Sequence, residues 1–172
     1  WAQVTGLNLM ESRLQELMDE YGLADLEAFA AEIHGRCETA MRKAIAGVPD
    51  GRYEHGFTTD GVGHPFTFKV AVTIDGDRCT IDYTGTEAQV GRAINCCMTY
   101  TFAMSAYAMK AALLPDLPNN EGIFRTIEVT APEGTIVNPR RPVAVGGRMP
   151  TGHYLPPLVF GPLAQDRAGK VM

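Results

Sequence analysis

No run of about 18 consecutive apolar residues occurs in this sequence, which is the length a bilayer-crossing helix needs. Its nearest approach, 98–114, is interrupted by threonines, Ser105 and Lys110. The four cysteines (Cys37, Cys79, Cys96 and Cys97) form no CxxC pair and no disulfide-framework spacing. Cys96 and Cys97 are adjacent, a placement that strains a mutual disulfide, so reduced thiols in a cytoplasmic protein are expected. Basic residues are outnumbered: 15 Lys and Arg against 20 Asp and Glu give a formal charge of −5. That balance argues against a nucleic-acid or anionic-membrane partner, because both want a basic face. There is no GxSxG, no HExxH, no EF-hand loop, no internal repeat and no secretory signal. An initial Met is missing as well. The chain opens at Trp1 into a helical pattern and stops at Lys170-Val171-Met172 without a closing signal, so a piece of a longer polypeptide is expected.

What is present suits one globular domain. At 172 residues, with 45% hydrophobic and 20% charged, the chain is long enough to bury a core and too apolar to be disordered. The firmest pattern runs over 66–84. Phe66, Phe68, Val70, Val72 and Ile74 alternate with Thr67, Lys69, Ala71 and Thr73, the period of a half-buried strand. Asp75-Gly76 follows, a dipeptide favoured in two-residue turns, and Cys79, Ile81 and Tyr83 return with the same alternation. A loop at Asp75-Gly76 would set Val72 against Cys79, Val70 against Ile81, and Phe68 against Tyr83. On the wet face it would set Lys69 against Asp82, an opposite-charge pair worth roughly 0.2–1 kcal/mol.

Upstream, Leu7, Met10, Leu14, Leu17, Met18 and Tyr21 recur at intervals of three and four, with Gly22 as a C′ stop. A second stripe, Leu26, Phe29, Ile33, Cys37, Met41 and Ile45, begins beside Asp25 and ends at Gly47. Two helices so closely linked are expected to lie antiparallel over a Leu/Met/Phe seam. Val48-Pro49-Asp50-Gly51 reads as a turn, 52–59 as a strand too polar to be central, and 60–65 as a loop. Residues 85–95 are polar with two glycines, and Asn95 is a candidate N-cap. The following helix, about 97–114, is apolar almost all round, which implies burial or docking. The stretch 114–122 is too rich in Pro and Asn for regular structure; strands are expected near 127–131 and 135–137. Helix is expected in part of 153–165, limited by Pro156, Pro157 and Pro162. The fold class is α+β: a helical hairpin, an antiparallel or mixed sheet centred on the 66–84 hairpin, and a buried helix.

The residues offer few catalytic candidates. His34 and His55 read as ordinary surface or partly buried histidines. His64, with Asp60 in a glycine-rich loop, makes at most half a metal site, and a structural turn is the simpler reading. Cys96-Cys97 lacks a neighbouring base, although Cys97 lies near a helix N-terminus where thiolates are favoured; packing is the simpler reading. His153 is the best candidate. It closes Gly146-Gly147-Arg148-Met149-Pro150-Thr151-Gly152-His153, where three glycines permit close backbone approach. Arg148, Thr151 and His153 there suit an anion or a carbonyl; a tight loop using Gly for φ alone is the competing reading. Neither GxGxxG nor GKT or GKS occurs, so nothing here cradles nucleotide phosphates.

Three stretches carry a resemblance. Asp82-Tyr83-Thr84-Gly85-Thr86-Glu87-Ala88-Gln89, then Gly91 and Asn95, resembles the DFTGT-x-x-Q…G…N segment of the hydantoinase B/oxoprolinase family. Pro115-Asp116-Leu117-Pro118-Asn119-Asn120-Glu121-Gly122-Ile123-Phe124-Arg125 resembles its PDIPNNEGCFRP stretch, and 131–139 (APEGTIVNP) its APEGSLLNP. Ala2-Gln3, Arg13, Tyr21-Gly22, Met41-Arg42 and Pro49-Asp50-Gly51-Arg52-Tyr53 fit in the same order.

The resemblance implies the central part of a large subunit of an ATP-dependent enzyme: an N-methylhydantoinase, a 5-oxoprolinase, a lactam hydrolase, or an acetone or acetophenone carboxylase. It implies a hydantoinase A-like partner with an actin-like fold that binds ATP and activates the amide or carbonyl oxygen. It also implies a divalent metal held by Asp and His residues upstream of this segment, with no cofactor in the segment itself. Unstrained amides resist hydrolysis through resonance, and phosphorylating the oxygen makes it a leaving group. The charged intermediate needs shielding from bulk water, which suits a site enclosed by two proteins. Three readings stay open: a cyclic-amide hydrolase acting on hydantoin- or oxoproline-like small molecules, a ketone carboxylase, and a scaffold and subunit-docking region without catalytic residues. Under the first, His153 and Arg148 are the catalytic candidates, and this piece by itself is expected to be inactive.

Overall fold

The structure is a computed structural model that describes residues 1–166. Its centre is strand β2, Phe66–Asp75, whose five alternate apolar side chains are all buried. Each contributes about 1.5–3 kcal/mol by leaving water. β1 (Gly51–Thr59) and β3 (Arg78–Asp82) flank it antiparallel, and β4 (Ile127–Thr130) runs parallel to β3, giving the order β1-β2-β3-β4. The sheet is therefore mixed and the fold α+β, as expected. β1 is an edge strand with no fully buried residue, in keeping with its polar sequence.

The hairpin register differs from the expected one by two residues. Val72 faces Ile81, Ile74 faces Cys79, and Ala71 faces Asp82. The loop is Gly76-Asp77, with Gly76 at φ 57 and Asp77 at negative φ, the pattern of a turn that wants Gly at its first central position. A slip of two preserves which face each side chain takes, so the apolar pattern alone does not choose between the registers. Asp50 Oδ1 accepts from the Gly76 N–H at 2.8 Å, a contact from outside the hairpin that favours the observed turn. Lys69 consequently stands beside Gly56 of β1 instead of opposite Asp82.

The two N-terminal helices are α1 (Ala2–Tyr21) and α2 (Glu27–Ile45), with Gly22 ending α1 in the left-handed region at φ 64. Their expected buried seam is not observed. α1 buries no residue, and Leu7, Met10 and Leu14 are exposed. α2 buries only its C-terminal Cys37, Met41 and Ile45, which reach the sheet core. Near the elbow Leu17, Tyr21, Leu23 and Phe29 line a cavity of about 320 Å³.

α3 (Met98–Leu113) takes the place of the expected buried helix; it buries Thr101, Ser105, Ala106, Ala108 and Met109, while Tyr107 is exposed. Its N-cap is Cys97, not Asn95. A short α4 (Glu121–Phe124) appears where no regular structure was expected, because the Asn120 side chain accepts from the Gly122 N–H at 3.0 Å and starts a turn. Residues 135–137 make only isolated bridges, Thr135 pairing with Asn138 in its own turn and with Ala88 of the loop after β3. α5 (Met149–Gly152) and α6 (Leu155–Asp166) follow, α6 lying against β1, β2 and α3. No described helix is long and apolar enough to cross a membrane.

Candidate functional site

Two long loops, 83–97 and 131–148, emerge beside the sheet and are stitched to each other by backbone. Gln89 N–H donates to Gly134 O, Ile136 N–H to Glu87 O, Cys96 N–H to Ile136 O and Gly147 N–H to Ala93 O, all at 2.7–2.8 Å. At the centre lies Asn95, fully buried. Its Oδ1 accepts from Val90 N–H at 2.9 Å, and its Nδ2 donates to the carbonyls of Val90, Arg92 and Ala144. The side chain expected to cap a helix instead clamps the two loops together, so every polar atom of a buried amide is satisfied. Thr151 adds a bond from Oγ1 to Ile94 O at 2.6 Å.

Against this platform the structure sets the expected candidates. Arg148 is the residue before α5, its guanidinium carbon 5.4 Å from the centre of the Tyr100 ring, a cation–π geometry. His153 follows α5 and is exposed. Both stand at the ends of one short turn; no hydrogen bond or ion pair joins them among the described residues. Gly152 is required for packing: a Cβ there would run into the Tyr100 ring. The glycine-rich stretch thus serves close helix approach at one position, in addition to any ligand it admits.

The remaining candidates separate. His64 Nε2 lies 3.8 Å from Glu87, and its ring meets Phe66 edge-on. His55 packs beside Gly161 of α6, and His34 presents its backbone to Gly122 of α4. Among the described residues no three His, Cys, Asp or Glu side chains converge on a point. All four cysteines are free thiols. Burial pushes the Cys96 thiol up to about 12, with the neighbouring Cys97 adding to it, and Sγ points at Arg148 O at 3.7 Å. A thiol so resistant to ionisation is no nucleophile, which supports packing for Cys96.

The DYTGT segment, 82–86, was legible in the sequence as the end of the hairpin at Asp82 and Tyr83, and beyond that as a resemblance. In space it turns back over β2. Asp82 Oδ1 accepts from the Thr84 N–H and hydroxyl at 2.9 and 2.7 Å, and Tyr83 is buried with its hydroxyl 2.7 Å from Ser105 Oγ. Thr86 Oγ1 accepts from Lys69 N–H at 3.0 Å and donates to Lys69 O at 2.8 Å. The segment wraps one lysine, the residue expected from the alternation to be the wet half of a charge pair.

The family model for hydantoinase B/oxoprolinase matches residues 1–172. A putative B-type subunit of a D-/L-hydantoinase from Pseudomonas sp. (strain NS671) is 31% identical over 178 residues, covering 95% of this chain and 30% of that protein. Among solved structures, the ATP-dependent caprolactamase from Pseudomonas jessenii superposes with a TM-score of 0.83 at 25% identity, covering 95% of this chain and 29% of its own. Acetone carboxylase, in its nucleotide-free structure, shares the fold with a TM-score of 0.70 at 19% identity, covering 92% of this chain and 24% of its own. The chain spans less than a third of the length of each of these proteins. It belongs to the hydantoinase B/oxoprolinase family.

Proposed function

We propose that this chain is part of the B-type subunit of an ATP-dependent enzyme that opens cyclic amides of the hydantoin or 5-oxoproline type, working with a hydantoinase A-like subunit that binds ATP. The observation that carries this reading is the likeness, along 95% of the chain, to a putative B-type hydantoinase subunit. The likeness to an ATP-dependent caprolactamase supports the same reaction class, since caprolactam is a cyclic amide. Acetone carboxylase shares the fold alone, so hydrolysis takes precedence over ketone carboxylation.

Within that assembly His153 and Arg148 are the residues of this chain proposed to face the substrate. Arg148, steadied over Tyr100, offers a fixed cation for the oxygen that gains charge as the ring opens. His153, exposed at the end of α5, is within reach of solvent to exchange a proton. With no converging ligand set among the described residues, no step is assigned to a metal in this chain.

The test uses the full-length protein combined with its ATP-binding partner. Hydantoin, 5-oxoproline and caprolactam are offered with ATP, and acetone is offered with ATP and bicarbonate. Ring opening of a cyclic amide is expected, and His153→Ala is expected to slow it about 10²-fold or more, the range for losing a general acid or base. Bicarbonate-dependent consumption of acetone with no ring opening would overturn the reading.

A further inference from the structure

The outward face of the sheet holds a cleft of about 470 Å³ lined by Arg52, Glu54, Gly56, Lys69, Thr84 and Gly85. Ala71 forms part of its wall and is buried although it lies on the polar side of β2. Two glycines clasp the stem of Lys69. A Cβ on Gly56 would lie 2.8 Å from Phe68 O and 3.3 Å from Lys69 Cγ, and one on Gly85 would lie 3.1 Å from Lys69 Cδ. Gly85 also sits at φ 89, a conformation that disfavours any side chain. Thr86 holds both backbone groups of the same lysine. The turn and the threonine together hold the backbone and stem of one lysine.

The charges around it are unevenly satisfied. Arg52 is engaged by Glu54 at 2.9 Å and by Asp82 at 3.8 Å. The imidazole of His55, whose residue also borders the cleft, packs beside Gly161 of α6. Lys69 has no carboxylate within ion-pair distance among the described residues. Lys69 is exposed, with its stem held between the two glycines and its ammonium unpaired at a concave polar cleft, an arrangement suited to receive a negative charge from outside the chain.

We propose that Lys69 is the anchoring residue of an oxyanion site on the outer face of the sheet, taking a carboxylate or phosphate group, with the DYTGT segment acting to position it. The site is independent of the function proposed above, and its test reads no turnover. In the full-length protein, amines are acylated with an acetyl ester at constant ionic strength, and each lysine is followed by mass spectrometry. Inorganic phosphate and acetate are added in separate arms against chloride. Lys69 is expected to be protected about threefold or more by one or both anions while Lys43, exposed like Lys69, is unaffected, as a specific contact and not general screening demands. Protection by phosphate alone assigns a phosphoryl group, and by acetate alone a carboxylate. A Lys69→Met variant keeps the stem and the backbone bonds to Thr86. It is expected to bind the protecting anion about tenfold more weakly by calorimetry, with Lys69→Arg retaining it to within about threefold. An unreactive Lys69, equal response at Lys43, or unchanged affinity in Lys69→Met overturns the proposal.

Discussion

Cys79 and Cys96 show how single side chains in this fold trade reactivity for burial. Both thiols are pushed up to about 12 by loss of water, and buried Tyr83 is raised as well by the same cause. The sign follows from linkage. Unfolding lets a thiol ionise near 9.0, whereas the folded chain holds it neutral until about 12. The stabilisation is therefore complete below pH 9 and is lost as pH climbs from there toward 12. Each thiol is expected to cost about 1.4 kcal/mol of stability per pH unit across that window. Urea unfolding between pH 8 and 10.5 should show the decline, and a Cys79→Ala/Cys96→Ala chain should show a shallower one. Equal slopes in the two would contradict the burial account.

Among the elements, α4 tests how much of this architecture depends on close approach. A Cβ at Gly122 would collide with the backbone carbonyl of His34 in α2, and backbone cannot rotate aside as a side chain can. Gly122→Ala is expected to separate α2 from α4 and to destabilise the chain by about 1–3 kcal/mol, read as a lower urea midpoint. An unchanged midpoint would mean that the two helices tolerate separation. A charge contact lies along the same junction: Arg125 reaches Glu38 at 3.7 Å, and Arg42 bonds Glu38 at 2.7 Å. The hydrogen bond from Arg42 holds the Glu38 carboxyl below its usual range.

These elements also show what periodicity can and cannot convey. Strand β2 was readable because its burial is one-sided and its alternation unbroken. The turn beside it was not, since Asp75-Gly76 and Gly76-Asp77 give the same alternation, and the Asp50 contact that favours the observed turn comes from 26 positions away. α1 had a readable stripe, yet a stripe states that a face wants cover without saying what covers it, and α2 does not bury it. The site was less legible still. Arg148 and His153 stood out by residue type in a glycine-rich loop. Asn95 and Lys69 did not, because a clamp and a clasp are made of long-range backbone contacts that leave no local pattern.

For the whole molecule, the proposed function has this chain serve an enzyme which uses ATP to open a cyclic amide. Amide resonance makes the carbonyl oxygen a poor leaving group, and transfer of the γ-phosphoryl group to that oxygen removes the obstacle, with ADP departing. Water then adds at carbon and the ring nitrogen leaves with a proton, giving an acyl phosphate; a second water adds at the same carbon and expels phosphate, which carries away the original oxygen. With both waters adding at carbon, both carboxyl oxygens of the product come from water. The most direct measurement gives the full-length complex 5-oxoproline or hydantoin labelled with ¹⁸O at the scissile carbonyl and follows the label by mass spectrometry. On the proposed function the label is expected to leave in inorganic phosphate, with one ADP formed for each ring opened. Label retained wholly in the ring-opened acid, with unlabelled phosphate, would contradict it.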